Sequence, residues 1–495
     1  MGDILINNSS LLLIYMEIGY DIMNILNVNT STKEDRKRKK MYKDYNDKIP
    51  KEAIQIIQMI EAAGYEAYIV GGCVRDLLMN RQPHDWDITT SAKPEEIKRI
   101  FKRTYDTGIE HGTVTVILNT EHFEVTTYRI EGEYKDFRRP DKVSFVDDIT
   151  LDLSRRDFTM NAIAYHPDRG FVDPYEGQRD IKRQCIRSVR CAKERFTEDA
   201  LRILRAVRFS AQLGFQIETE TLKGIEACRA LLTHISKERI RDEFLKICVS
   251  SRPGHIDLLY QLKLLEYIFP DFIKAYEVPQ NHPHHTYNVA KHTLVAMENS
   301  EPTVIVRLTM LLHDIGKVYT RTTDKHGIDH FYNHPKRSEQ IASEILKDLR
   351  MDNHTIKAVC ELIRYHDYHI EHHISKVYVK KVMMVIGEEL FDELLKVQYA
   401  DAMAQNLEKL QPKLDAIEKQ RNYKNEVIAN HEPYHKGMLA ITGSDLIEIG
   451  IPKGKIIGDL LEAALQKVIH EPNFNQKALL LTYCMEHYKV KGKQV

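Results

Sequence analysis

The sequence predicts an α+β protein, with a small β-sheet head domain followed by a helical neck and body and by a further helical domain. From about residue 49 to residue 180, short β-rich runs alternate with glycine turns and short helical patterns. From Ile181 onward, apolar residues recur almost everywhere with helical spacing. A chain of 495 residues with 43% hydrophobic and 29% charged residues has room for about three ordinary globular domains.

The composition excludes several classes of protein. The 71 basic and 72 acidic residues give a formal net charge of -1, so the overall charge gives no indication of a nucleic-acid partner. The seven cysteines lack C-x-x-C spacing, which argues against a disulfide framework or a zinc ribbon and favours a reducing compartment. The apolar residues 4–16 lack a basic flank and are too short to span a bilayer. We therefore expect a cytoplasmic protein with no membrane partner.

The chain begins with a predicted extension over residues 1–48. Residues 27–47 are charge-dense and polar, as in a solvated linker, and Met23 or Met41 is an alternative to Met1 as the translation start. From Pro50, apolar residues recur at helical spacing up to Gly64, which predicts an amphipathic helix with a glycine cap.

A glycine turn and two aspartates lie between Tyr68 and Thr90. The apolar run that ends at Val70 meets Gly71 and Gly72, and a short helical segment then leads to a strand that carries Asp85 and Asp87. Alternate side chains of a strand share a face, so both carboxylates point the same way. One or two carboxylates beside open positions suit a Mg2+ ion that also binds a triphosphate, although D-x-D alone equally describes an exposed strand end.

A predicted β-hairpin follows. Residues 112–118 and 122–128 are β-rich and are separated by Asn119, Thr120 and Glu121. If the second strand lies beside the D-x-D strand, Glu124 supplies a third carboxylate. The segment Gly132–Asp148 has little periodicity and contains R-R-P, so we predict a loop there.

Polar side chains then follow in two clusters. Arginine and asparagine at Arg155, Arg156 and Asn161 can donate to a ribose and a phosphate, and Asp157 can accept from sugar hydroxyls. A structural salt-bridge cluster is the alternative. A helix predicted to begin near Thr197 carries Asp199 and Arg202 on one face. A carboxylate beside a guanidinium complements the donor and acceptor edges of cytosine and adenine, whereas the alternative is an ordinary helix ion pair.

Histidines and aspartates recur from residue 282 to residue 401. His292 lies in a helical run, the doublet His313-Asp314 closes another, and His334, His366 and Asp401 follow on later helices. Histidine with aspartate binds a transition metal that can activate water for phosphoester cleavage. Any single histidine is more often structural, but the doublet followed by Gly-Lys is more specific.

Five motifs taken in order resemble those of one family: G-G-C-V-R-D (71–76), D-W-D (85–87), R-R-D-F-T-M-N-A (155–162), D-P-Y-E-G-Q-R-D (173–180) and E-D-A-L-R (198–202). The chain resembles the bacterial class II CCA-adding tRNA nucleotidyltransferases and their poly(A) polymerase relatives over about residues 50–280. Residues 285–405 resemble an HD-type domain. Glu176 departs from the family pattern, in which glycine is common before Gly177.

The resemblance implies a division into a catalytic head (49–180), a neck and body that selects nucleotides and binds tRNA (181–280), the HD domain (285–405) and a helical C-terminal region (406–495). It also implies a reaction: C, C and A are added to the tRNA 3′ end from CTP and ATP, with Mg2+ held by Asp85 and Asp87 and with release of pyrophosphate. The helical part would hold the acceptor stem by its shape and phosphates.

The resemblance further assigns roles to individual residues. Glu124 falls where a third catalytic acid is usual. The nucleotide-binding set comprises Gly71, Gly72, Arg75, Arg155, Arg156, Asp157, Asn161, Asp199, Arg202 and Arg205. The HD positions for a metal such as Ni2+ or Mn2+ are His292, His313, Asp314 and Asp401, with His334 and His366 in a second tier.

Two alternatives stay open at this point. One is an enzyme that adds only A or only CC, or a poly(A) polymerase. The R-R-P loop between Glu131 and Val146 resembles that of enzymes that perform the A-adding step, which counts against addition of CC alone but does not separate full CCA addition from addition of A alone. The other is an HD phosphohydrolase whose front half only binds RNA. The pair Asp85 and Asp87 argues against the second alternative, because RNA binding alone does not need metal-holding carboxylates. The sequence does not indicate an oligomeric state.

Overall fold

The computed structural model describes residues 42–132, 143–367 and 374–491. The chain divides into two compact units, which are described separately. The first comprises the residues up to Arg202 together with Gln216–Ile225, and the second comprises Ile203–Phe215 and the residues from Glu226 onward. Most of the predicted N-terminal extension and the R-R-P of the predicted loop lie outside the described residues. The predicted functional division into head, neck, HD and C-terminal regions stays a prediction.

The first unit is built on a seven-stranded sheet. Its strands are β1 (Ala67–Val70), β2 (Asp87–Thr90), β3 (Thr104–Gly108), β4 (Thr113–Leu118), β5 (Glu121–Thr127), β8 (Ala164–His166) and β9 (Gly170–Val172); two short strands, β6 (Arg129–Glu131) and β7 (Val143–Phe145), form a separate antiparallel pair. The order in the large sheet is β3-β4-β5-β2-β1-β8-β9. Only β2 and β5 run parallel among these neighbours. The predicted β-sheet head is confirmed.

In the described residues from 51 to 228, the α-helices are Lys51–Ala62, Gly72–Leu78, Pro94–Ile100, Ile149–Ser154, Gly177–Lys182, Ala192–Glu198, Leu201–Leu213 and Thr219–Cys228. A parallel two-stranded sheet joins β10 (Cys185–Ile186) to β11 (Gln216–Ile217). The first helix buries the apolar positions that predicted it and is followed by Gly64 with φ +90°. The hairpin of β4 and β5 turns at Asn119, which has φ +56°. Both predictions are confirmed, but β7 occupies part of the predicted loop.

The buried residues of the sheet hold the site residues in position. All of β1 is buried, and Ile88, Thr89 and Thr90 of β2 are buried as well. These buried residues therefore hold β2 in place, and burial of each large apolar side chain among them contributes about 1.5–3 kcal/mol.

Glu176 adopts the left-handed conformation, with φ +58°, just before the helix that opens at Gly177. This conformation costs a residue with a Cβ roughly 1–2 kcal/mol, which explains why glycine suits the position. A Cβ on Gly177 would lie 2.2 Å from the carbonyl oxygen of Thr159. The turn therefore tolerates the departure at Glu176 but requires glycine at the next residue.

The second unit is helical, as predicted. Its helices from residue 237 are Lys237–Cys248, Ile256–Gln261, Leu265–Ile268, Val289–Glu298, Val304–Leu312, Lys317–Thr320, His334–Asp348, Asn353–Tyr365, Lys376–Met403, Leu410–Ala429, Gly443–Glu448, Lys455–His470 and Lys477–Lys491. A short hairpin of β12 (Thr322–Thr323) and β13 (Asp329–His330) interrupts them. In the C-terminal region, Pro472 follows the helix that ends at His470 and separates it from the last helix. Within the described residues, no helix combines the length and apolar character needed to cross a membrane.

Candidate active site and histidine cluster

The glycine turn at the end of β1 lies beside two charged side chains. Gly71 has φ +88°, and a Cβ there would lie 2.8 Å from Arg156 Nη1 and 3.8 Å from Asp87 Oδ2. The Gly71 amide donates to the carbonyl oxygen of Ile163 at 3.2 Å. A side chain at position 71 would strain the backbone and fill the space next to Arg156 and Asp87.

The three predicted carboxylates lie just before β2, at its first residue and on β5. Asp85 lies in the segment just before β2, because this strand begins at Asp87; the predicted strand start is wrong by two residues. The alternation nevertheless holds, since Asp85 is exposed and Trp86 is buried. Asp87 and Glu124 are opposite each other in the parallel pairing of β2 with β5. The structure thus brings Glu124 beside Asp87.

The carboxylate of Asp87 lies in an electrostatically unfavourable place for an anion. Burial raises its pKa, and the Asp85 and Glu124 carboxylates act in the same direction, while the Arg156 guanidinium lowers it. A divalent cation would offset both the burial and the mutual repulsion of the carboxylates. Oxygen ligands of this kind suit a hard cation such as Mg2+, so the donor set fits that ion.

Asp152 is a residue to which the sequence analysis assigned no role. It is completely buried, and its Oδ1 accepts from Arg155 Nε at 2.9 Å, while its Oδ2 lies 3.6 Å from Arg156 Nη2. The Arg129 amide also donates to Oδ1, at 3.3 Å. Asp152 therefore positions both arginines. Its spacing of three and four residues from them was the available signal.

The remaining residues of the R-R-D segment form a hydrogen-bonded chain with the glycine turn. Asn161 Nδ2 donates to Asp157 Oδ1 at 3.0 Å, and the Phe158 amide donates to the same oxygen at 2.8 Å. Arg75 Nη1 donates to Asn161 Oδ1 at 2.9 Å. The helix that starts at Gly72 is thereby tied to the segment that carries Asp157.

Asp199 and Arg202 do not share a helix, contrary to the prediction. The helix Ala192–Glu198 ends before Asp199, which is extended with φ -136°, and a new helix begins at Leu201. The Leu201 amide donates to Asp199 Oδ1 at 3.1 Å, as an N-cap aspartate accepts at a helix start. The prediction was wrong because this local hydrogen bond favours the break between the helices.

The Arg202 guanidinium is held by an unpredicted partner. Nη1 donates to Glu198 Oε2 at 2.7 Å, and the side chain is only 10% exposed. Nη2 donates to the carbonyl oxygen of Arg155 at 3.0 Å, which links Arg202 to the R-R-D segment. Arg205 follows on the same helix but belongs to the second unit, and its guanidinium lies 5.4 Å from the ring centre of Phe209. Its nucleotide-binding role stays a prediction.

The predicted histidine and aspartate residues of the second unit lie together, at or near helix ends. His292 is on Val289–Glu298, whereas His313 and Asp314 directly follow the helix that ends at Leu312. His334 opens one helix, and His366 directly follows another, which ends at Tyr365. Asp401 lies near the end of Lys376–Met403. We call these six residues the histidine cluster; all except Asp401 are buried.

The donor atoms of the histidine cluster converge. His292 Nε2 lies 2.9 Å from Asp401 Oδ1 and 3.4 Å from Asp314 Oδ2, and His313 Nε2 lies 3.3 Å from the same Asp314 oxygen. His334 Nε2 lies 3.3 Å from Asp314 Oδ1, and His366 Nε2 lies 3.8 Å from it. This arrangement of imidazole nitrogens and carboxylates suits a transition metal.

Three family models match parts of the chain. The poly(A) polymerase head domain matches residues 67–187, which include the glycine turn, the carboxylates and the R-R-D segment. The "Probable RNA and SrmB-binding site of polymerase A" matches residues 214–276, and tRNA nucleotidyltransferase domain 2 matches residues 322–484. The seven-stranded sheet and the candidate site thus lie in the part of the chain that is similar to the poly(A) polymerase head domain.

A solved structure narrows the class to a family. The Bacillus stearothermophilus CCA-adding enzyme in complex with CTP is 30% identical and aligns with 90% of this chain and 98% of that chain, with a TM-score of 0.67. The chain therefore belongs to the CCA-adding enzyme family. A Thermotoga maritima CCA-adding enzyme complexed with tRNA, at 20% identity and a TM-score of 0.58, shares the fold.

Curated relatives are more similar over a shorter stretch. The CCA-adding enzyme of Lactobacillus johnsonii is 54% identical over 202 residues, which are 41% of this chain and 50% of the relative. That of Listeria monocytogenes is 51% identical over 218 residues, which are 44% of this chain and 56% of the relative. The matched part of the chain thus spans about half the length of these relatives.

Proposed function

We propose that the chain is a tRNA nucleotidyltransferase that adds C, C and A to the tRNA 3′ end, with CTP and ATP as substrates and pyrophosphate as the released product. The pairing of Asp87 with Glu124 beside the Gly71 turn and Arg156 carries the proposal, because it joins a cation site to a close backbone approach and a guanidinium. The similarity to an enzyme solved with CTP supports the choice of substrate. The proposed compartment is the cytoplasm.

The carboxylates of Asp85, Asp87 and Glu124 would hold Mg2+. When bound, this ion supplies charge stabilisation for the α-phosphate and its leaving group. Gly71 leaves space for the triphosphate, and Arg156, held by Asp152, donates to phosphate oxygens without needing to reorganise. Asp157 and Asn161 would orient the ribose. A hydrogen bond between them, and one from Arg75 to Asn161, hold both side chains in place.

Selection of C and A is assigned to Asp199 and Arg202, which would present an acceptor and donors to the Watson–Crick edge of the incoming base. Glu198 and the Arg155 carbonyl hold the guanidinium in one plane, and this preorganisation favours discrimination. Guanine and uracil present donors and acceptors in the opposite order, so they would leave buried polar groups unpaired. The Arg202 and Asp199 pair would therefore act in place of a nucleic-acid template.

Addition of only A is the second candidate within the same class. The test offers tRNA transcripts that end before the first C, before the second C and before the terminal A, each with CTP, with ATP and with both. Full CCA synthesis extends all three transcripts, whereas an A-adding enzyme extends only the last. Failure to extend any transcript with either nucleotide would refute both assignments.

A further inference from the structure

We propose that Arg195 is a positioning residue for base selection: it holds the carboxylate that holds Arg202. The inference rests on the proposed nucleotidyl transfer and extends it to a residue outside the five sequence motifs. Arg195 lies on the helix Ala192–Glu198, directly before the extended residue Asp199. The side chains of Arg195 and Arg202 are each only 10% exposed. Two cations with so little contact with water need an anion as a shared partner.

The Glu198 carboxylate joins the two arginines. Its Oε2 accepts from Arg202 Nη1 at 2.7 Å, and its Oε1 accepts from Arg195 Nη2. Because each oxygen is bonded to a different guanidinium, rotation of the carboxylate about its last torsion would break a charge-assisted hydrogen bond. Arg195 therefore fixes the orientation in which Glu198 meets Arg202.

Main-chain carbonyl oxygens fix both guanidiniums as well. Arg195 Nη1 donates to the carbonyl oxygen of Ser154 at 3.2 Å, and Arg202 Nη2 donates to that of the next residue, Arg155, at 3.0 Å. Arg202 Nη1 also donates to the carbonyl oxygen of Arg195 at 3.0 Å. Together with Glu198, these bonds form a closed ring between the helix that carries Arg195 and the segment that begins the R-R-D motif.

The closed ring has a consequence for the choice of base. Its bonds to Glu198 and to the two carbonyl oxygens hold the Arg202 guanidinium in one plane, and a base must meet the remaining donors in that plane. Without the Arg195 side chain, the Glu198 carboxylate can turn, and the Arg202 guanidinium can turn with it. The charge of Arg202 stays, so the expected loss is in discrimination between bases and not in attraction for phosphates.

Competition between nucleotides tests the proposal. A transcript that ends before the first C receives CTP and UTP together, and one that ends before the terminal A receives ATP and GTP together. Arg195→Met keeps an aliphatic side chain but removes the donors, and it should lower both preferences by about fivefold, with unchanged tRNA affinity in filter binding. The two nucleotides compete in one reaction, so the ratio does not depend on the fraction of enzyme that is folded.

A double-mutant cycle separates positioning from stability. Because Arg195 acts on Arg202 through Glu198, adding Arg195→Met to Glu198→Gln should change the ratio little further. Arg195→Lys keeps the charge but lacks the planar fork, so its ratio should lie between those of the parent and Arg195→Met. A structural role alone would lower the denaturation midpoint and leave the ratio of the parent unchanged.

A matched control and the parent enzyme make the result specific. Lys193→Met removes an exposed cation from the same helix and should retain the parent ratio. If the parent extends neither transcript, the proposed function fails, and this inference fails with it. If the parent selects C and A, an unchanged ratio in Arg195→Met would overturn the role of Arg195 alone. Additive effects of Arg195→Met and Glu198→Gln would also overturn it.

Discussion

Asp85, Asp87 and Glu124 are exposed or half-exposed, on or just before two interior strands of the sheet, whereas the histidine cluster is almost entirely buried. In the head, carboxylates repel one another until a cation arrives, and the exposed side leaves room for substrate oxygens to complete the coordination. In the histidine cluster, main-chain carbonyls orient four rings before any ligand binds. The difference predicts that an ion at the carboxylates exchanges with its substrate, whereas an ion at the histidine cluster is retained between turnovers.

The largest expected effect tests the carboxylates of Asp85, Asp87 and Glu124. Asp87→Asn should lower incorporation of CTP and ATP by about a thousandfold or more, since loss of metal-borne charge stabilisation costs several kcal/mol. Single-turnover incorporation into the transcript lacking CCA measures the effect. Glu121→Gln is the matched control, because it changes an exposed acid of the neighbouring strand β5, three residues from Glu124. Near-normal turnover of Asp87→Asn would show that nucleotidyl transfer does not depend on this carboxylate.

The next largest effect concerns Asp152, which holds Arg155 and Arg156 in place. Asp152→Ala should lower the free energy of unfolding by about 3 kcal/mol, because it leaves the partly buried Arg155 and Arg156 without their carboxylate. Denaturant unfolding followed by circular dichroism measures the change. Asp147→Ala, on the exposed segment before the same helix, should change little. A similarly small effect at Asp152 would show that the arginines do not depend on it.

Metal removal tests the histidine cluster. At a free-metal concentration of about one hundred times the dissociation constant, bound metal stabilises the folded state by about 2.7 kcal/mol per site. A chelator should therefore lower the melting temperature of the full chain, and His313→Gln should melt at the chelated value with or without metal. Calorimetry with and without added Mn2+ measures both. Equal melting of the parent with metal and with chelator would contradict a retained ion.

The smallest effect concerns selection of the base. Arg202→Ala should weaken discrimination for C and A over G and U by about tenfold or more, with a smaller change in tRNA affinity, because unpaired polar groups no longer penalise the wrong base. Glu198→Gln should relax the choice less, since it loosens the guanidinium without removing it. Competition between nucleotides at saturating tRNA measures the ratio. Unchanged nucleotide choice in Arg202→Ala would refute the base-reading role.

The sequence predicted most of the local structure and missed what depends on distant pairing. The hairpin of β4 and β5 followed from composition, but its parallel contact with β2, and so the position of Glu124, required tertiary structure. Asp152 was missed because a buried aspartate near arginines looks like an ordinary ion pair. The break at Asp199 contains neither glycine nor proline, so the helical pattern concealed it, although aspartate is a common N-cap residue.

The cluster in the second unit shows the same limit. The motif His313-Asp314 and the later histidines indicated a metal, and the structure does bring all six residues together. Within the cluster, His292 faces Oδ2 of Asp314 and His334 faces Oδ1. No sequence pattern contains that information, because it arises from the packing of helices that are remote along the chain.

The parallel pairing of β2 with β5 has a consequence for synthesis on the ribosome. Asp87 is made before β3 and β4, and its neighbour Glu124 becomes available only when β5 has left the exit tunnel. Contacts between strands distant in sequence form late, because closing the intervening loop costs entropy. A nascent chain that ends before residue 121 therefore cannot pair Asp87 with Glu124.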